Sequence, residues 1–207
     1  MCGVTGIFHF DRPESVSADL LHRMNNTIFH RGPDGDGTYV SRDGKVGLGH
    51  RRLSIIDLSE GGAQPMSNRE ETIWVSFNGE IYNHVSLRME LEGRGCLFRS
   101  HHSDTEVLVQ GYQAWGMRGL LERLDGMYVF AVYDETAKRI LIARDRVGVK
   151  PIYFTKRAGL FAFASEIKAL LAHPSVPATV GEVALYHYLT YLTTPAPLTL
   201  FDGIYKL

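Results

Sequence analysis

Only two cysteines, Cys2 and Cys96, occur in the 207 residues. A disulfide framework is excluded, and free thiols in a reducing compartment, the cytoplasm, are the simpler reading than one bridge. No stretch approaches the roughly 18 consecutive apolar residues of a membrane helix. A secretory h-region is also missing, because Asp11, Arg12 and Glu14 arrive too early. Charge of neither sign dominates: 22 Lys and Arg stand against 23 Asp and Glu. Without a basic stripe, nucleic acid and anionic membranes are poor candidates for a partner. Nine histidines are present, yet no His-Glu-x-x-His pattern or paired-Cys motif accompanies them. The adjacent His101 and His102 would diverge from any shared site. No P-loop, dinucleotide fingerprint, internal repeat or low-complexity tract is found.

What is present is ordinary globular material, 44% hydrophobic and 22% charged. A chain of this length buries roughly 70% of its unfolded surface, enough for a real core. Val4–Phe10 reads as a buried strand. Leu20, Leu21, Met24 and Ile28 then share one face of a helix from about Ser17 to Phe29. His30–Gly37 is rich in Gly, Pro and Asp and is expected to be a loop. Strands are expected at Lys45–Leu48 and Thr72–Phe77, and a helix at Asn83–Glu92. Ser103 and Glu106 have capping-box spacing at the start of a third helix. Two hairpins follow, Met127–Tyr133 with Arg139–Ala143 and Val149–Thr155 with Leu160–Ala164. Helices are expected at Ser165–Leu171 and near Glu182–Tyr191. Thr193–Phe201, with its two prolines, reads as a linker. The order suggests an α+β protein with largely antiparallel sheets.

Cys2 is the first chemical point of interest. A small second residue permits removal of the initiator methionine, which would leave a thiol and a free α-amine on one Cα. In model compounds these two groups titrate within about one pH unit of each other, so the amine can take the thiol proton near neutrality. On position alone, an inert terminal thiol is the commoner outcome. Likewise Asn78-Gly79 alone reads as a hairpin turn, Asp104 as a residue stabilising a helix dipole, and Arg52 as a surface arginine beside its neighbour Arg51. Cys96 reads as a small buried hydrophobe.

The joint order of motifs changes these odds. Met1-Cys2-Gly3, His30-Arg31-Gly32-Pro33-Asp34, His50–Asp57, Gly62-Ala63-Gln64-Pro65-Met66, Phe77–Asn83, Ser103–Val107, Arg144–Tyr153 and Phe163–Leu170 follow one another along the chain. Together they resemble the N-terminal domain of glutamine-dependent asparagine synthetases, a class II (Ntn-type) glutamine amidotransferase, over essentially the whole chain. The resemblance implies a four-layer αββα sandwich. It implies a glutaminase domain over 1–192, with 193–207 starting a linker to a C-terminal ATP-dependent synthetase domain. It makes Cys2 the nucleophile and assigns the oxyanion hole to Asn78 and Gly79. Arg52 would hold the substrate carboxylate, with Leu53, Ser54, Ile55 and Ile56 lining the pocket. Asp104 would receive the ammonium, helped by Glu80. No cofactor is implied in this domain; ATP and Mg would act in the synthetase domain. The implied partners are glutamine and that domain, with a homodimer left open. The Gly-rich segment Arg31–Gly37 is a candidate for closing over bound glutamine. Competing readings are a non-catalytic glutamine-binding module, a hydrolase of another amide, and a domain that feeds a different acceptor.

Overall fold

The computed structural model describes residues 1–54, 60–100 and 102–207. Ile55 and Ile56, expected in the pocket, and His101 lie outside the described residues. Two antiparallel sheets stack face to face. The first has the strand order β10-β8-β9-β1-β3-β2, built from β1 (Gly3–His9), β2 (Gly35–Val40), β3 (Val46–Arg52), β8 (Tyr153–Arg157), β9 (Leu160–Ala164) and β10 (Ile204–Lys206). The second has the order β4-β5-β6-β7, from β4 (Met66–Ser67), β5 (Ile73–Ile81), β6 (Gly126–Asp134) and β7 (Arg139–Arg144).

The period-two alternation of each strand sorts its side chains between layers. Val4 and Phe8 of β1, Val46 and Leu48 of β3, and Val129, Ala131 and Tyr133 of β6 meet between the sheets. Ile7 points the other way, onto α1 (Ala18–Thr27) and α4 (Ile167–Leu171), with Leu20, Leu21, Met24 and Leu170. Val75, Phe77, Phe130 and Val132 face α2 (His84–Gly93) and α3 (Asp104–Arg123), where Leu87, Leu91, Val107 and Leu108 complete a third core. The result is the expected αββα stack. Gly6 makes room for its cross-strand partner on β9: a Cβ there would lie 2.1 Å from the Phe163 ring. A fifth helix, α5 (Glu182–Tyr191), buries only Ala184.

Several local expectations are corrected. The His30–Gly37 segment is only partly loop: a 3-10 turn spans Phe29–Arg31, and from Gly35 the chain pairs with β3 as an edge strand. Asn78 and Gly79 are not a turn. They lie inside β5, opposite Val129 and Tyr128. Ser103 does precede α3, but its side chain makes no cap bond. Glu106 turns instead to the N–H groups of Arg99 and Ser100, at 2.7 Å each, and the Ser100 hydroxyl at 2.6 Å. The helix is also broken at Gly116, whose φ of 67° and ψ of 178° are not helical. Finally, the stretch read as a linker contributes β10, which pairs with β8 from Ile204↔Thr155 to Lys206↔Tyr153.

His50 clamps the two sheets together. Its Nε2 donates to the Phe77 carbonyl at 2.9 Å, and Ser76 Oγ donates to the Gly49 carbonyl at 3.0 Å. Burial, with the nearby Arg52 charge, outweighs the Phe77 bond and lowers the His50 pKa from 6.5 to about 4. The folded state therefore prefers the neutral ring more strongly than the unfolded chain does. The resulting stabilisation is complete above 6.5 and is lost as the pH falls toward 4, on the order of 3 kcal/mol. Urea unfolding at neutral pH and at pH 4 should show that loss in the parent and a clearly smaller one in His50→Gln. Equal losses would reject the assignment.

Candidate active site

The cleft opens at one end of the stacked sheets, where β1, α3 and β6 start and β3 and β5 end. Met1 and Cys2 precede β1, Arg52 ends β3, and Asn78, Gly79 and Glu80 lie in the second half of β5. The first turn of α3 contributes Ser103, Asp104 and Thr105, and Met127 comes from the start of β6. Leu53, Ser54, Gln64 and Lys150 fill the wall. The cavity holds about 170 Å³, below the roughly 300–1,000 Å³ of sites for drug-sized ligands and on the scale of a free amino acid. Of the ten expected site residues, the eight that are described all line this one cleft. Arg51 does not: its guanidinium is buried over the Phe29 ring and 3.4 Å from Asp36. Nor does any residue of Arg31–Gly37; that segment lies behind the wall, where Asp34 accepts the Ser54 N–H at 2.9 Å.

Cys2 is held from both sides. The Leu53 N–H donates to its sulfur at 3.4 Å, and the thiol reaches the Leu53 carbonyl at 3.6 Å. Behind it, Arg31 Nε donates to the Cys2 carbonyl at 3.0 Å while Arg31 Nη1 donates to Glu166 at 3.0 Å. His30 and Lys168 reach the same carboxylate at 2.8 and 3.2 Å. Burial pushes the Glu166 carboxyl up, but hydrogen bonds from Arg31, His30 and Lys168 more than offset this and bring it down to about 2. The charged strut thus fixes the peptide plane of Cys2, and with it the direction of the side chain.

Asn78 is 2% exposed, and among the described residues its Nδ2 has no hydrogen-bond partner. A buried amide donor left open costs about 1–3 kcal/mol unless something fills the space before it. Beside it, Gly79 runs so close to β6 that a Cβ would lie 2.2 Å from the Met127 carbonyl oxygen. Only a glycine lets the strand pass at this distance. The pair could present two N–H donors to one anionic oxygen.

Asp104 is buried, and one carboxylate oxygen accepts the Ile81 N–H at 3.1 Å. Burial raises its pKa despite that bond and those from the first turn of α3. A cation arriving in the cleft would stabilise its ionised form. Gln64 braces this end: its Oε1 accepts the Phe77 N–H at 2.7 Å and its Nε2 donates to Thr105 at 3.1 Å. That links the strand carrying Asn78 to the helix carrying Asp104. Gln64 belongs to a motif visible in the sequence, but its bracing role is purely tertiary. Arg31 and Lys150 likewise carried no local signal of their place. Among the described residues, no group of three or more His, Cys, Asp or Glu side chains could hold a metal ion. No helix among them is long and apolar enough to cross a membrane.

A family profile described as "Glutamine amidotransferase domain" matches residues 1–207. The chain is 41% identical over its whole length to "Asparagine synthetase [glutamine-hydrolyzing] 1" of Bacillus subtilis (strain 168), of which it covers 32%. It is 33% identical over its whole length to a putative asparagine synthetase of Methanocaldococcus jannaschii, covering 42% of that protein. The chain thus spans about a third of the length of the first of these relatives. Among solved structures, the glutamine phosphoribosylpyrophosphate amidotransferase of B. subtilis superposes with a TM-score of 0.70 at 23% identity, over 83% of this chain and 43% of that one. That likeness shows the same Ntn-type fold. Fold, motif order and full-length match agree: the chain belongs to the glutamine amidotransferase domain family, and it is similar to part of proteins named glutamine-hydrolysing asparagine synthetases.

Proposed function

We propose that the domain hydrolyses glutamine to glutamate and ammonia through a thioester on Cys2, after Met1 has been removed. The observation that carries this reading is the open Asn78 amide, buried beside Gly79 in the same cleft as the half-buried Cys2 thiol. A polar donor without a native partner is in place before the charge it would stabilise has formed.

The steps follow from the groups present. The Arg52 guanidinium takes the substrate carboxylate as a planar fork. Asp104, with Glu80 alongside, takes the α-ammonium. The α-amine of Cys2 accepts the thiol proton, and sulfur attacks the side-chain amide carbon. Negative charge forms on the amide oxygen between Asn78 Nδ2 and the Gly79 N–H. Collapse breaks the C–N bond, and the Cys2 ammonium returns its proton to the leaving nitrogen. Water, deprotonated by the same amine, then cleaves the thioester. We place the ammonia acceptor, aspartate activated by ATP with Mg, in a synthetase domain of a longer cytoplasmic protein. Residues 1–192 are then the glutaminase unit.

The direct test is mass spectrometry after brief exposure to 6-diazo-5-oxo-norleucine, a glutamine mimic, together with a glutamate-release assay. The label should sit on Cys2, and only in chains lacking Met1. Turnover without Cys2 labelling would refute the mechanism. Arg52→Lys should raise KM for glutamine about tenfold or more with a smaller change in kcat, because a point charge cannot reproduce the fork. Steady-state kinetics with KM at the parent value would remove Arg52 from the carboxylate site.

A further inference from the structure

Lys150 lines the cleft, yet none of the steps above uses it. It is 5% exposed. Among the described residues its ammonium has no carboxylate partner; its side-chain contact is the Met1 thioether, at 3.5 Å from Nζ. A buried cation needs a compensating anion or strong acceptors, and a thioether is a weak one. The lysine is nevertheless held firmly. Asp145 accepts the N–H groups of Val149 and Lys150 at 2.8 and 3.1 Å, and Arg144 donates to the Lys150 carbonyl at 2.6 Å. Gly148 closes this turn at φ 73°, a conformation that favours glycine. A rigid turn therefore carries a positive charge to the space Met1 occupies, in the cleft that Cys2 also lines.

We infer that Lys150 is the counter-charge of the Cys2 sulfur, favouring the thiolate once Met1 has gone. The inference rests on the proposed function, since it requires the processed N-terminus. The proton leaves the thiol for the Cys2 amine or for solvent, and Lys150 itself neither gains nor loses one. Lys150 acts through Cys2, so it is a positioning residue rather than a catalytic one. The other charged groups of the cleft are placed for substrate: Arg52, Glu80 and Asp104 line it with Lys150. The Asp145 carboxylate is occupied by the backbone of the turn. Lys150 is thus the cleft cation that the substrate-binding scheme leaves unassigned.

The test is the rate of Cys2 alkylation by iodoacetamide across pH, followed by peptide mass on the Met1-free full chain. The neutral reagent reports thiolate without needing the glutamine site. Lys150→Met should move the midpoint of the profile up by about one pH unit, making alkylation at neutral pH about tenfold slower. Lys150→Arg should retain the parent profile. If the methionine variant does not fold, Lys150→Gln, which keeps a polar tip, replaces it. A neutral variant whose profile overlays the parent overturns the inference, as does an arginine variant shifted as far as the neutral one. Glutamate release by the parent is measured alongside. An active parent with an unshifted variant rejects only the role of Lys150, whereas a processed parent that releases no glutamate rejects the glutaminase reading as well.

Discussion

Replacing Cys2 by alanine removes glutamine turnover while leaving unfolding by heat or urea unchanged. Sulfur is the only atom in the scheme that forms the covalent intermediate. The remaining groups can bind glutamine and polarise its amide, but they offer nothing to attack it. The expected loss is on the order of 10⁴-fold or more, as for nucleophile deletions in other acyl-transfer enzymes. Stability is insulated because the thiol is half-buried and, among the described residues, its hydrogen bonds are to the Leu53 backbone, at 3.4 and 3.6 Å. The strut from Arg31 grips the Cys2 carbonyl, which alanine retains. Glutamate release and a denaturation curve on the same Met1-free preparation decide the matter. Residual turnover within about tenfold of the parent would point to another nucleophile.

Asn78→Ala separates catalysis from binding. Removing one oxyanion donor typically lowers kcat by about 10²–10³. The deletion should leave KM for glutamine close to the parent value, because Arg52 and Asp104 grip the other end of the substrate. It should also cost little stability, since Nδ2 gives up no hydrogen bond to the described residues. An oxyanion donor matters only when charge develops, so the loss belongs to the transition state. A rise in KM equal to the fall in kcat/KM would instead make Asn78 a ground-state binding residue. A large drop in melting temperature would make its role structural.

The fold was legible where apolar periodicity is strong. Both hairpins and the helix carrying Leu20, Leu21 and Met24 follow from apolar periodicity within single segments, whereas the stacking of the two sheets is implied only by the family resemblance. Local chemistry misled where distant pairing overrides it. Asn78-Gly79 carries a strong short signal for a turn, but nine consecutive pairs with β6 hold it in a strand. Glu106 has the spacing to cap its own helix, but the free N–H groups of Arg99 and Ser100 claim its carboxylate. Gly35–Val40 lacks the apolar alternation of a strand because it is an edge, half-exposed, with its partner β3 on one side only. At the site, the residues that would touch substrate could be named from motif order. Those that hold them in place could not. Arg31, Gln64 and Lys150 act across sequence separations of 29, 41 and 149 residues, and no window of sequence contains both ends of such contacts.

The place of β1 sets a timetable for the enzyme. It lies in the interior of its sheet, between β3 and β9, and its last partner runs from Leu160 to Ala164. A chain emerging from the ribosome presents its first residues long before that partner exists. During this interval the leading methionine is accessible to an aminopeptidase. The thiol left behind has its own amine beside it but no folded pocket to hold glutamine or oxyanion hole to receive the charge. Competence arrives only when the second half of the domain zips onto the first, so a truncated translation product carries the nucleophile but no active site.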